Sequence, residues 1–518
     1  MASLNFKGKS AVWNHHLSVP YHTLENDPKR SLKGENADEN LIIEGDNLLA
    51  LKSLLPQYQG RVKCIYIDPP YNTGNEEWIY SDNVSSPTIQ EWVGKAVGKD
   101  DLTRHDKWLC MMTPRLKLLR ELLASDGLIF VSVDSNEMHH TRALMDEIFK
   151  EENYIGDFQW KKKSTSTNVE GAQVSSLTDY TFCYSKTNEG RIKSRIRYAT
   201  TRSYPLSDSE GKYRLAIIEK KNAGAYKRES MTFPILGQKP RDGKRWQIGA
   251  VLAKELESKG RLVVDEGVVK RKIYDFEDRD TESAQPLLLV LEDVGTTKSA
   301  GDELADLFGE QEIFDNPKPV ELIRHLIEIV SEKDSIILDS FAGSGTTAHA
   351  VLDLNKNDQG TRKFILVEME DYAQEITAER VRRAVKKYTY KTGFTYSKLG
   401  PAIDAETLLS GTLPTYKEFA KYVYYLATGK NHPAESKIKE ADFFVGDADR
   451  ESIYLVYEKD MEKLKKLAIT LDWAQKTHKK DSGKKIVYAP ACFLDDEALE
   501  QYNIRFVSIP YNLFEKTV

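Results

Sequence analysis

The chain has 518 residues, 40% apolar and 30% charged, with a net charge of −6. That length predicts two or three domains, the composition is that of a soluble globular protein, and no run approaches the ~20 apolar residues of a membrane span. The four cysteines, Cys64, Cys110, Cys183 and Cys492, fit no disulfide or zinc spacing, and Met1–Ser10 lacks the apolar core of a secretory signal, so a reduced, cytoplasmic, metal-free protein is expected.

Residues 1–38 are polar and broken by Pro20 and Pro28, and are expected to form an arm or irregular cap. His15, His16 and His22 have no acidic or Cys partner at ligand spacing, which favours a packing or surface role over metal binding. Leu41-Ile42-Ile43-Glu44 reads as a strand that turns at Gly45-Asp46-Asn47. Asp46 or Asn47 can cap the helix expected from Leu48 to Leu55, closed by Pro56 and Gly60. Val62–Ile67 is the next apolar strand, and strand–helix–strand with short links is a βαβ unit.

This strand runs directly into Asp68-Pro69-Pro70-Tyr71-Asn72-Thr73-Gly74. Prolines have no N–H and a fixed φ, so the strand must stop at Asp68. A stiff loop at the carboxyl end of a strand is where open α/β sheets place ligand crevices. An acid, rigid carbonyls and an aromatic ring together suit a flat, amine-bearing ring.

Trp108–Ala124 has helical apolar spacing interrupted at Pro114. Asp126-Gly127 then turns the chain into the strand Leu128–Val133, which ends at Asp134. Met138–Phe149 reads as a helix and Tyr180–Ser185 as a strand. Between 157 and 249 there are nineteen Lys/Arg against nine Asp/Glu, interleaved with Tyr184, Tyr198, Tyr204, Tyr213, Tyr226, Phe233 and Trp246. Helical periodicity is weak there, so a mostly β or irregular insert is expected. Such a segment is either a solvated β-subdomain or a surface that follows phosphates and reaches base edges.

Residues 292–312 are acidic and polar, and Phe314-Asp315-Asn316-Pro317-Lys318-Pro319 leads into a helix from Val320 to Val330. The strand Ser335–Asp339 ends in Ser340-Phe341-Ala342-Gly343-Ser344-Gly345-Thr346-Thr347, and a helix follows. Lys363–Val367 is the next strand, ending at Glu368, with a helix from about 373 to 388. Glycines in such a turn permit positive φ and close approach of backbone to a ligand, and an acid ending the next strand is placed to bind ribose hydroxyls. No GxGxxG is present, and Thr346 stands where a phosphate-binding Lys would be. A nucleoside with a short zwitterionic tail therefore suits the loop better than a pyrophosphate; tight strand–helix packing is the alternative use of the glycines. After Gly400-Pro401 the pattern resets. Residues 415–518 read as a small α/β domain with strands near 442–445, 452–457, 467–471, 485–488 and 504–508, and with no catalytic cluster.

Asp68-Pro69-Pro70-Tyr71, followed much later by Phe341-Ala342-Gly343-Ser344-Gly345-Thr346, resembles the β arrangement of the amino-methylating DNA methyltransferases. Gly45-Asp46-Asn47, Asp126–Asp134 and Phe314–Pro319 agree with it. The long form, Asp-Pro-Pro-Tyr-Asn-Thr-Gly with a distinct C-terminal domain, is most similar to the modification (Mod) subunits of type III restriction-modification systems. The resemblance implies a Rossmann-like α/β methyltransferase core that uses S-adenosylmethionine, with an inserted target-recognition domain and a small α/β C-terminal domain. It divides the chain into an arm (1–38), a catalytic half (39–185), the insert (186–311, its basic character beginning near 157), a cofactor-binding half (312–400) and the C-terminal domain (401–518). Asp68, Pro69, Pro70 and Tyr71 are then the catalytic residues. Asp339, Phe341, Ala342, Gly343, Ser344, Gly345, Thr346 and Glu368 are cofactor residues, with Asp46 and Lys318 as second contacts that have structural alternatives.

The activity implied is methylation of adenine N6 in duplex DNA after base flipping. The implied partners are DNA, a second copy of the chain, and a helicase–nuclease restriction subunit. A solitary adenine methyltransferase, a cytosine-N4 methyltransferase and a non-catalytic specificity subunit are the alternatives. Members often carry His-Asp/Glu-Tyr before the strand at 180–185, whereas this chain has Thr178-Asp179-Tyr180.

Overall fold

A computed structural model of the chain describes residues 3–73, 103–165, 174–193, 195–196, 203–223, 227–280, 284–285, 287–404, 407–408, 410–430, 432, 435–448 and 451–509. Gly74, Tyr198 and Tyr226, singled out above, lie outside these residues. The chain forms two compact units, one of residues 1–192 with 288–518 and one of residues 193–287.

The first unit is built on a ten-stranded sheet. In chain order its strands are β1 His22–Asn26, β2 Leu41–Glu44, β3 Val62–Ile67, β4 Leu123–Val133, β5 Tyr154–Lys161, β6 Thr178–Ser185, β7 Val290–Leu291, β8 Ile336–Asp339, β9 Lys363–Glu368 and β10 Thr395–Ala402. Across the sheet the order is β1-β10-β2-β9-β8-β3-β4-β6-β5-β7, and the run from β10 to β4 is parallel. Strands buried on both faces read as continuous apolar runs. Ile65, Ile67, Ile337, Leu338 and Phe364 to Val367 are accordingly fully buried. Strand β8 lies between β9 and β3, with Ile337 opposite Cys64 and Leu338 opposite Ile65. This topology brings the carboxyl ends of β2, β9, β8 and β3 side by side, although β3 and β8 are far apart in sequence.

Three expectations about this unit need correction. The polar N-terminus is not irregular throughout: β1 pairs antiparallel with β10 and forms one edge of the sheet. An edge strand needs hydrogen bonds on one side only and tolerates polar residues on its exposed face. The helix Arg104–Leu122 passes through Pro114 without interruption. Burial of Trp108, Leu109, Met112, Leu116 and Leu119 outweighs the ~3 kcal/mol cost of an interior proline. Likewise, the helix Asn47–Tyr58 contains Pro56 rather than ending there.

The C-terminal residues fold around a sheet of Phe444–Ala448, Glu451–Leu455, Lys484–Ala489 and Ile504–Ser508, adjacent in that order. They belong to the first compact unit; Tyr422, for example, stacks on Tyr21 with ring centroids 4.4 Å apart. The strand expected at 467–471 is a single bridge from Ile469 to Cys492, because Thr470 caps the helix Leu471–Lys480.

The second unit holds 21 Lys/Arg against 14 Asp/Glu. A four-stranded antiparallel sheet runs in the order Leu262–Asp265, Val268–Tyr274, Gly211–Ile217, Leu206–Asp208, beside the pair Glu219–Lys221 and Lys244–Trp246. The unit is narrower than the insert expected at 186–311, because β7 and the helix Thr297–Phe308 fold with the first unit. Trp246 is fully buried among Ile218, Ile235, Leu256 and Val269, its indole donating to the Phe233 carbonyl at 2.6 Å. It is core, as is Tyr184 in the first unit, and neither ring is available to read bases.

Candidate active site

Asp68 directly follows β3, and the two prolines after it carry the chain into a loop pinned by its surroundings. The indole N–H of Trp108 donates to the Pro70 carbonyl at 2.7 Å. Asn72 adopts the left-handed conformation (φ 57) and its side-chain amide donates to Glu137 at 2.5 Å. Asp68 Oδ1 is buried without a hydrogen-bond partner among the described residues, and Oδ2 is ion-paired with the Lys318 ammonium. That ammonium lies 5.0 Å from the Tyr71 ring centroid and 5.8 Å from that of Trp160. Burial, reinforced by the Asp68 and Asp179 carboxylates, pushes the Tyr71 phenol well up, so it stays a neutral ring. Asp179, from the atypical Thr178-Asp179-Tyr180 triplet, ion-pairs with Lys162 at 2.6 Å.

The glycine loop leaves β8 beside this site. Asp339 accepts from the Phe341 N–H at 3.0 Å and from the Thr347 hydroxyl at 2.5 Å. Glu368, ending β9, accepts from the Gly343 N–H at 2.7 Å and the Glu370 N–H at 3.0 Å. Gly343 and Gly345 have φ of 51° and 80°, and a Cβ on Gly345 would lie 2.8 Å from the Thr377 carbonyl oxygen. Gly345→Ala combines backbone strain with that clash and is expected to destabilise the fold by about 2–3 kcal/mol. Thermal unfolding followed by circular dichroism checks it; an unchanged melting temperature contradicts the loop geometry.

Tyr66, Asp68, Pro70, Lys318, Asp339, Phe341, Ala342, Gly343, Ser344, Thr346 and Glu368 all line one cavity of about 780 Å³. That volume lies within the range of small-molecule sites. Of the residues expected at the site, Pro69, Tyr71, Gly345 and Asp46 do not line it. Asp46 instead caps the helix Asn47–Tyr58, accepting from the Leu48 and Leu49 N–H groups, and Asn47 takes the lining position.

Several supporting residues escaped the sequence reading. Arg115 donates to Asn47 at 2.5 Å, and Asn47 donates to the Ser340 carbonyl at 3.2 Å. Arg380, fully buried under the glycine loop, donates to Ser344 at 2.9 Å and Thr346 at 2.7 Å. Their only sequence signal was a charged residue at an otherwise apolar helix position, as at Arg115 within the run Trp108–Leu119.

Burial pushes both Asp339 and Glu368 up to about 7, against 3.8 and 4.5 for the free side chains. A folded-state value above the unfolded one favours the fold while the group is protonated. That contribution, on the order of a few kcal/mol, is complete below about pH 4 and is lost as pH rises through about 7. The protein alone is therefore expected to lose stability between about pH 4 and 7 relative to an Asp339→Asn/Glu368→Gln variant. Melting temperatures of the two across that range check it; parallel curves contradict it.

A family model described as a DNA methylase matches residues 62–379. The chain is 32% identical over 412 residues to the StyLTI Mod subunit of a type III restriction-modification enzyme from Salmonella typhimurium, covering 72% of this chain and 61% of that protein. It is 29% identical over 484 residues to the EcoP15I Mod subunit of Escherichia coli, covering 80% and 74% respectively. It is 31% identical over 368 residues to the type II methyltransferase M.KpnI of Klebsiella pneumoniae, covering 66% and 83%.

Proposed function

The chain belongs to the N6/N4 DNA methylase family, and from that premise we propose that it methylates the exocyclic amine of adenine at specific sites in duplex DNA, using S-adenosylmethionine. The observation that carries this reading is the single cavity lined by the Asp68 end of β3, the glycine loop and Glu368. The cavity suits the cofactor because it holds two buried carboxylates that have no cationic partner among the described residues, and whose protons a cationic, hydroxyl-bearing ligand would displace. Glu368 would take the ribose hydroxyls, Asp339 and residues 341–346 would flank the methionine portion, and Lys318 would suit its carboxylate. When bound, the cofactor supplies an electrophilic methyl group on a sulfonium.

The rest of the chemistry belongs to the chain. The adenine amine is a poor nucleophile because its lone pair is delocalised into the ring. Asp68 Oδ1 and the Pro69 carbonyl accept its two hydrogens and favour a tetrahedral nitrogen with a free lone pair. The nitrogen gains a methyl group and loses one hydrogen as a proton, for which the Asp68 carboxylate is the adjacent acceptor. Lys318 must leave Asp68 Oδ2 for the carboxylate to serve fully. A paired adenine cannot reach this site, so the base is flipped, at a cost of a few kcal/mol; stacking on Tyr71 returns about 1–3 kcal/mol.

The acid at position 68 favours adenine N6 over cytosine N4, for which a serine is commoner. The basic second unit suits target recognition, and similarity to Mod subunits supports a modification role beside a restriction subunit. Similarity to M.KpnI, a type II methyltransferase of which 83% is covered, supports the second reading, a methyltransferase that is not part of a type III system. Single-molecule sequencing of DNA from cells expressing the chain tests the function. N6-methyladenine within one sequence motif is expected, on one strand or both; unmodified DNA contradicts it.

A further inference from the structure

Glu137 takes no part in the chemistry above, yet its side chain is fully buried directly behind the catalytic loop. A buried carboxylate persists only where its lone pairs are taken. Here Oε1 accepts from the Asn72 amide at 2.5 Å and meets His105 Nδ1 at 2.7 Å, while Oε2 meets His140 Nδ1 at 3.0 Å. The two imidazole rings lie against each other, their centroids 4.7 Å apart. His105 stands three residues before Trp108 on the helix Arg104–Leu122, and therefore on the same face. One helix thus reaches the loop twice, at the Pro70 carbonyl through Trp108 and at Asn72 through His105 and Glu137.

The same three groups bring two nitrogens and an oxygen within 4.8 Å of one another, as a metal site would. The observed spacings argue for hydrogen bonds. Two donors on one zinc ion, each at about 2.1 Å in tetrahedral geometry, stand about 3.4 Å apart, whereas these pairs are at 2.7 and 3.0 Å. The Asn72 amide, itself a donor, also points at the carboxylate.

We propose that Glu137 is a positioning residue. Held by His105 and His140, it fixes Asn72 in its left-handed conformation, and so aims Asp68 Oδ1 and the Pro69 carbonyl at the target amine. This rests on the amine-methylation reading, and the test separates the two.

The test uses the full chain with Glu137→Ala, Glu137→Gln and Asn72→Gly. Glutamine keeps an oxygen for Asn72, and glycine permits the left-handed backbone without strain but, lacking the bond, does not hold it there. Turnover of tritiated S-adenosylmethionine on unmethylated plasmid DNA, cofactor affinity by calorimetry, and amide hydrogen exchange over residues 66–73 are compared. Glu137→Ala and Asn72→Gly are expected to turn over about ten- to a hundred-fold more slowly, with cofactor affinity within about two-fold and faster exchange in the loop. Glu137→Gln is expected to recover most of both.

Normal turnover and exchange in Glu137→Ala overturn the proposal. So does a glutamine variant as impaired as alanine, or stoichiometric zinc in the wild type that the variants lose. A wild type that transfers no methyl group overturns the function reading instead; the exchange comparison then still decides the loop contact.

Discussion

Replacing Asp68 with alanine is expected to lower methyl transfer by about a thousand-fold or more while leaving cofactor affinity unchanged or slightly tighter. Asp68 Oδ1 is a buried carboxylate oxygen without a partner among the described residues, directly after the last residue of β3. Its loss removes the charge-assisted half of the amine's two hydrogen bonds and the acceptor of the released proton, effects worth about a hundred-fold or more each. The Lys318 ammonium, nearly buried, also loses its carboxylate and becomes free to face a ligand in the cavity. The alanine variant should therefore melt at a lower temperature than Asp68→Asn, which keeps the shape and one acceptor oxygen. Initial rates of tritium incorporation and calorimetric titration with S-adenosylmethionine measure both quantities. Wild-type turnover in Asp68→Ala contradicts the assigned role.

Glu368→Ala is expected to act on the other half of the site, weakening cofactor binding by about 2–4 kcal/mol, or roughly thirty- to a thousand-fold. Glu368 already accepts from the Gly343 and Glu370 N–H groups, so alanine loosens the glycine loop as well as removing the expected ribose contact. Glu368→Gln keeps one acceptor oxygen and should lose less. The KM for the cofactor should rise well before turnover at saturation falls. An alanine variant with wild-type affinity contradicts the ribose role.

The residues that line the cavity were legible wherever the physics is local. An apolar run stopped by two prolines identifies β3 and its loop, because a parallel strand buried on both faces needs such a run and proline cannot extend the ladder. Glycines between a strand and a helix identify the loop after β8 for a similarly local reason. The adjacency of β3 and β8 comes from strand order, which no window of residues encodes; only the resemblance to a known arrangement supplied it. Where local signals misled, long-range packing had overridden them. Pro114 stays inside a helix because the leucines around it are buried, and the polar residues 22–26 form an edge strand because β10 offers one free side. Trp246 looked like a base-reading aromatic from its basic neighbours, yet the unit needs it as core. Glu137, His105 and His140 were invisible for the same reason: His105 lies far from the other two in sequence and meets them only through the packing of two helices beside the Asp68 loop.

The central claim is that the Asp68 loop presents acceptors to an adenine amine beside a bound methyl donor. The most direct test is mass spectrometry of nucleosides from unmethylated DNA incubated with the purified chain and S-adenosylmethionine carrying a deuterated methyl group. The account predicts deuterium-labelled N6-methyladenine with the wild type and its loss with Asp68→Ala. Labelled N4-methylcytosine, or N6-methyladenine formed equally by the Asp68→Ala variant, would contradict it.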